Sequence, residues 1–355
     1  MSIYLLVYIS SILFLYLGRK ETKFGNFSIF VGLLLPILLA GFRGIDVGTD
    51  TENYKEIYDI IEYEGRYIPI VEPLYYIIAK IAIFFNKFSV VLLFYQTFTI
   101  LLVYKFARKC NHSLNICFIF IIYYFLLYNA SLNIMRQSAA IAYLLYISLY
   151  LRNKEIKKYV LFSFLGIMIH STVIIGALLL YIIEYISLSK SIYRKLMIVG
   201  YLFSLVAIYL LVGILLQYLS SFGGGMLAGK AQAYSSSNSS ISFTYLTMSF
   251  FMIVLWFLCD IYSSMSKIDK TVLLLLIFTE LIFSLMGKYN TVFTRFGMYF
   301  TAYYICYIPL ICKTLRGSAN NKRMVSLVCI SFCFAYWFVM IVINNSNETI
   351  PYMWN

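Results

Sequence analysis

Three basic groups stand where a helix would ordinarily carry acid, and that placement points to anion chemistry. Arg136 follows Asn133, a residue suited to cap a helix N-terminus, in the run Asn133, Ile134, Met135, Arg136, Gln137. The first turn of a helix carries partial positive charge and favours Asp or Glu. An anion bound at that terminus would resolve the conflict. Arg295 repeats the arrangement behind Thr294, at the expected start of a helix over 296–313, and His170 precedes Ser171 and Thr172 at the start of a returning helix. Arginine suits a diphosphate because its planar fork binds phosphate oxygens in pairs and stays charged. Against this, long basic side chains near helix ends also reach for lipid headgroups, which would account for either arginine alone.

Acid is gathered in one stretch. Residues 43–72 hold Asp46, Asp50, Glu52, Glu56, Asp59, Glu62, Glu64 and Glu72, eight of the 15 acidic residues in the chain. Arg43 opens it, and Gly41, Gly44 and Gly48 permit tight turns that could aim Asp46 and Asp50 back towards helix ends. A carboxylate held there could act as a general base on a hydroxyl or help bind a divalent cation. A solvated acidic loop is the plainer reading, more so for Glu62 and Glu64 than for Asp50. Glu280 lies inside the apolar stretch 271–287. An intramembrane acid marks either function or a pair with Lys or Arg on a neighbouring helix.

The elements that must carry these groups are membrane helices. The chain is 62% hydrophobic and 12% charged, with mean hydropathy +0.84. A soluble domain has roughly twice that charge. A helix needs ~20 mainly apolar residues to cross the bilayer core, whereas strands of a membrane barrel would alternate over ~10 residues. The fold expected is all-α: a polytopic membrane protein of roughly 11–13 hydrophobic helical segments. Apolar runs fall near 2–17, 27–42, 88–106, 113–128, 132–151, 159–187, 196–219, 243–262, 271–287, 296–313 and 325–343. Residues 2–17 lack a basic leader and a small-residue cleavage site, so they read as a retained first helix. None of the seven cysteines falls into a disulfide or metal motif.

The net charge of +13 would suit nucleic acid, but its distribution excludes that partner. Most Lys and Arg lie in short clusters between apolar runs, such as Lys105, Arg108 and Lys109, or Lys313, Arg316, Lys322 and Arg323. The positive-inside rule then puts the N-terminus, the acidic loop 43–72, a Gly/Ser-rich loop 220–242 and the C-terminal tail outside. The whole chain, 1–355, reads as a single integral membrane domain. Two segments need special treatment to keep this topology. Residues 73–85 are too short to span and are expected to be re-entrant or interfacial, and 159–187 is expected to break near His170 into two arms.

The order Arg43 with Gly48, Thr49, Asp50 and Tyr54, then Met135, Arg136 and Gln137, then Ile169, His170 and Ser171, then Arg295 and Phe296, and finally Pro351 and Tyr352 resembles the EpsG family. That family is grouped with the Wzy-type polymerases of bacterial O antigens, capsules and exopolysaccharides. The resemblance runs from about residue 40 to the end. It implies a multi-pass enzyme of the bacterial inner membrane that transfers a growing glycan from undecaprenyl diphosphate to a lipid-linked repeat unit at the outer face. The partners implied are these lipid-linked oligosaccharides, the bilayer and other polysaccharide-assembly membrane proteins. No cofactor is required, and no motif supports a divalent cation. Joined to the physical reading, it makes Asp50 the first candidate for the base and His170 the second. Arg136 and Arg295 are then expected on the diphosphate with Arg43 in support, and Asp46, Gln137 and Glu280 as auxiliary residues. A flippase for lipid-linked oligosaccharides, kept open by Glu280, is the alternative of another class, and an O-antigen ligase or acyltransferase is a third reading.

Overall fold

A bilayer inverts the packing rule of a soluble helix, and the first helix follows the inverted rule. Without water, aliphatic side chains gain nothing by turning inward, whereas hydrogen-bonding groups do. Helix α1 (Ser2–Leu17) exposes Leu6, Ile9 and Leu13 and buries Tyr4, Tyr8, Ser11 and Leu15. The computed structural model describes residues 1–20, 22–65, 71–110, 115–221 and 243–354, and these are all-α. The expected loop 220–242 lies almost wholly outside the described residues.

The described chain divides into two units. The first comprises Met1–Ala177, Tyr304–Lys313 and Ala319–Asn355; the second comprises Leu178–Tyr303 and Thr314–Ser318. The first unit contains α1, α2 (Lys23–Gly41), α3 (Thr49–Glu64), α4 (Pro73–Phe84), α5 (Ser89–Lys109) and α6 (Ile116–Tyr123). A π-helical stretch, Tyr124–Tyr128, leads from α6 into α7 (Asn129–Asn133), followed by α8 (Met135–Arg152), α9 (Ile156–Gly166) and the start of α10 (Val173–Leu188). Near the chain end α15 (Tyr304–Thr314) and α16 (Ala319–Trp337) complete it. The second unit carries the rest of α10, α11 (Ser191–Ser221), α12 (Phe243–Tyr262), α13 (Lys267–Met286) and α14 (Thr291–Thr301). Among the described residues five helical stretches are long and apolar enough to cross a membrane: 23–41, 89–109, 116–133, 191–212 and 319–343. Shorter apolar helices supplement them.

Both irregular segments behave as their lengths require. The 12-residue α4 is ~18 Å long and cannot span. Residues 159–187 divide between Gly166 and Val173, and His170 lies in the turn. The stretch 296–313 departs from the single helix expected. It is two helices, α14 and α15, because α14 begins earlier and ends at Ala302–Tyr303, where Tyr303 N–H bonds back to Phe300 O in a tightened last turn.

The interior of the first unit is tied by side chains that serve stranded backbone groups. Pro36 in α2 has no N–H, which leaves Gly32 O without its helical donor, and Ser11 Oγ supplies one at 2.5 Å. Gly32 makes the approach possible, since a Cβ there would lie 3.0 Å from Ser11 O. Tyr124 stacks on Tyr8 at 4.6 Å and shares a hydrogen bond with Ser11. Asn129 then joins three parts of the chain. Its Oδ1 accepts from Tyr8 Oη and Trp337 Nε1, both at 2.8 Å, and its Nδ2 donates to Thr349 Oγ1 at 2.9 Å.

The basic ends gather on one side of this unit. Lys109 Nζ donates to Tyr146 Oη near the end of α8, and Arg152 at that end donates to Tyr307 Oη. Arg136 lies at the opposite end of α8. Asn129→Ala would strip a partner from three buried groups, each costing ~1–3 kcal/mol when left unpaired. The expected result is a clearly lowered unfolding temperature of the detergent-purified protein. An unchanged melting curve would remove Asn129 from this central role.

Candidate active site

Pro73 at the first position of α4 fixes the backbone of Glu72, the preceding residue, in the extended region at φ −62°, ψ 143°. The Glu72 side chain does not cap its own helix. It meets two other segments instead. Oε2 pairs with Arg136 at the start of α8, and Oε1 lies against His170 Nδ1 in the α9–α10 turn, both at 2.5 Å. Leu74 N–H also donates to Met168 O at 3.1 Å, which fixes α4 to that turn. Glu72, Arg136 and His170 retain only 10%, 17% and 20% of their side-chain exposure.

Aromatic rings close the cluster. The Arg136 guanidinium lies 5.0 Å from the Tyr54 ring centre and 5.4 Å from that of Tyr75. Tyr75 Oη donates to Tyr54 O, holding α4 to α3, and Tyr95 of α5 stands next to Tyr75 with ring centres 6.2 Å apart. Among the described residues Arg136 Nε and Tyr95 Oη are buried without a hydrogen-bond partner.

Burial raises the Glu72 pKa, but the hydrogen bond from His170 and the Arg136 charge outweigh it and hold the carboxyl below its ordinary value of 4.5. Glu72 is therefore ionised at neutral pH. With Glu72 ionised, Nδ1–H of His170 donates to this carboxylate, and in the neutral ring the lone pair then lies on Nε2, which is the arrangement of an oriented base.

Asn133 does not act as expected. At the break between α7 and α8 its Oδ1 accepts from Asp50 N–H at 2.8 Å and Thr49 Oγ1 at 3.0 Å, so it caps α3 rather than the helix of Arg136. The residue before α8 is Ile134, which offers no side-chain cap. A cap needs only an oxygen near free N–H groups, and those of α3 come closer. This draws the Asp50 helix start to the Arg136 helix start. Gly48 allows it, with φ 93° and a Cβ position only 3.0 Å from Asn133 Cα. Residues 49–64, within the expected acidic loop, are thus a helix with Asp50 and Glu52 in its first turn and Gly65 as its left-handed end.

The other predicted residues distribute as follows. Asp46 is exposed in the turn before α3, and Gln137 is buried in α8 beside Arg136. Arg43 is 1% exposed; its two terminal nitrogens donate to Ala40 O at 2.6 Å and Leu132 O at 2.7 Å, so it joins the ends of α2 and α7. Arg295 is half-buried in the second unit, and its position differs from that expected. Asn290, not Thr294, caps α14 by accepting from Val292 N–H at 2.7 Å, so the helix begins at Thr291 and Arg295 sits in its second turn. Glu280, also in the second unit, meets hydroxyls: Ser249 Oγ and Ser284 Oγ both donate to its carboxylate. Glu72 is the member that reading the sequence missed. Its position directly before Pro73 was the available signal, but nothing local ties it to residues 64 and 98 places away.

Because the Glu72 pKa is depressed, its contribution to stability is complete above about pH 4.5 and is lost as pH falls through the lowered value. The thermal-stability gap between the parent and Glu72→Gln should be full at neutral pH and shrink below about pH 4.5. A gap that stays constant into acid would show that the carboxylate charge is not what holds the cluster.

The EpsG family model matches residues 25–354. No curated protein and no solved structure matches the chain. From the second helix to the tail, including every residue of the Glu72, Arg136 and His170 cluster, the chain belongs to the EpsG family of bacterial membrane proteins, with a polymerase-like role in polysaccharide biosynthesis.

Proposed function

We propose that the chain is a glycan polymerase that transfers a growing polysaccharide from undecaprenyl diphosphate to a lipid-linked repeat unit at the outer face of the bacterial inner membrane. The observation that carries this reading is Glu72 held between Arg136 and His170, with Tyr54, Tyr75 and Tyr95 around them. The acceptor hydroxyl oxygen attacks the anomeric carbon, the bond from that carbon to the diphosphate oxygen breaks, and the hydroxyl proton passes to the base. Undecaprenyl diphosphate leaves with the bonding electron pair.

His170 is the base in this scheme, because Glu72 orients its ring and leaves Nε2 free to take the proton. Asp50 is the second candidate, at the α3 start that Asn133 draws in. Arg136 meets the charge that grows on the leaving diphosphate, where a fixed cation lowers the barrier more than it binds the ground state. Arg43, with two helix ends on its guanidinium, is a positioning residue. The reaction so written uses the chain's own side chains and asks for no cofactor.

Glycan ladders from cells carrying single substitutions test this. Arg136→Ala and His170→Gln should each reduce polymerisation by roughly 10²-fold or more, leaving a single surface repeat unit with normal protein levels. Asp50→Asn should be milder if His170 is the base. Normal ladders in both Arg136→Ala and His170→Gln would sink the assignment, and loss of even the single surface repeat would favour flipping over polymerisation.

A further inference from the structure

A cavity of about 660 Å³ opens at the other end of the first unit, where the basic clusters lie. Its walls come from the start of α6, the last turns of α15 and the start of α16. Lys313, Lys322 and Arg323 supply three positive charges, and Phe118, Pro309 and Leu327 supply an apolar body. Among the described residues no carboxylate lines it. The sequence has no Asp or Glu between Glu280 and Glu348, a stretch that carries six Lys and Arg.

Two further features say what kind of ligand would fit. Lys313 lies in the last turn of α15, where a cation complements the helix, but Lys322 and Arg323 directly follow the first turn of α16, which contains no acid. A helix N-terminus flanked by cations calls for an anion. Lys322 Nζ donates to the backbone carbonyl Lys313 O at 3.0 Å, which ties the start of α16 to the end of α15 at the cavity wall. The same wall continues outward as a greasy face. Met324, Leu327 and Val328 are each more than 60% exposed on a helix long and apolar enough to cross a membrane. A soluble anion such as a nucleotide would use the charges and gain nothing from this face. A molecule with a phosphate at one end and a hydrocarbon chain at the other uses both.

We propose that this cavity binds an anionic phospholipid, its phosphate held by Lys313, Lys322 and Arg323 and one acyl chain lying along Phe118 and Leu327. Arg136 and this cavity belong to opposite ends of the helices, so the site is separate from the polymerisation chemistry and does not rest on it.

An introduced indole reads the local lipid directly. The full-length Leu327→Trp protein is reconstituted into vesicles of phosphatidylcholine containing either brominated phosphatidylglycerol or brominated phosphatidylcholine. Quenching of the added fluorescence is measured against the parent with its three tryptophans. The expected result is a preference of roughly tenfold for phosphatidylglycerol, falling towards unity when Lys322→Gln and Arg323→Gln are added, and weakening with salt. Equal quenching by the two lipids, or a preference that survives the added substitutions, would overturn the proposal. Native mass spectrometry of the protein without the indole gives an independent reading. Phosphatidylglycerol adducts should be retained over phosphatidylcholine and be depleted by Lys322→Gln/Arg323→Gln but not by Lys157→Gln/Lys158→Gln. Equal depletion by both pairs would reduce the effect to net charge and reject the site.

Discussion

A buried carboxylate between two basic groups organises the candidate active site. An isolated ionised carboxylate away from water is costly, and it becomes tolerable when paired and hydrogen-bonded. Glu72 meets that condition through Arg136 on one oxygen and His170 on the other, and it thereby specifies where α4, α8 and the α9–α10 turn must meet. Removing one partner would leave a buried charge uncompensated, so the three segments are held in one arrangement. The same arrangement orients the imidazole and sets a cation beside the rings of Tyr54 and Tyr75.

Around this site the fold is governed by what a bilayer lacks. Each backbone group that a proline or a helix end leaves unpaired has to find a partner inside the chain. Ser11 answers the carbonyl stranded by Pro36, Arg43 answers carbonyls at the ends of α2 and α7, and Asn133 answers the free N–H groups of α3. These answers come from distant parts of the sequence. They convert breaks in helices, which are weak points in lipid, into the joints of the first unit.

Much of the fold was legible in the sequence because its cause is local. Length and apolar composition decide whether a segment spans, so the short 73–84 helix follows from counting residues against bilayer thickness, and the break in 159–187 from keeping the basic clusters on one side. Arg136 and His170 stood out because they sit at helix starts, and the structure brings those two together. Glu72 did not stand out, since one acid among eight carries no mark of its partners. Asn133 was recognised as a cap, yet the helix it caps lies more than eighty residues back in sequence. The α14 start, expected at residue 296, lies five residues earlier at Thr291, because Thr294 and Asn290 are both plausible caps and only the observed bond to Val292 N–H decides between them. Local chemistry names the candidates; tertiary contacts choose among them.

The tail shows the same logic at the scale of the family pattern. Pro351 and Tyr352 lie some three hundred residues from Arg43, but the tail folds directly over it. Gly44 N–H donates to Met353 O and Gly48 N–H to Glu348 O, both at 2.8 Å, and Tyr352 Oη donates to Leu39 O. Tyr4 Oη and Asn129 Nδ2 hold Thr349 from beneath. The tail thus clamps the turn that presents Gly48 to Asn133, and Asn133 in turn sets Asp50 near the start of the Arg136 helix. Residues at the two ends of the chain therefore serve one junction. Their order along the sequence reflects the path of the chain past that junction, and the motifs around Arg43, Arg136, His170 and Tyr352, short and scattered in sequence, all fall in the first unit, whereas Arg295 and Phe296 belong to the second.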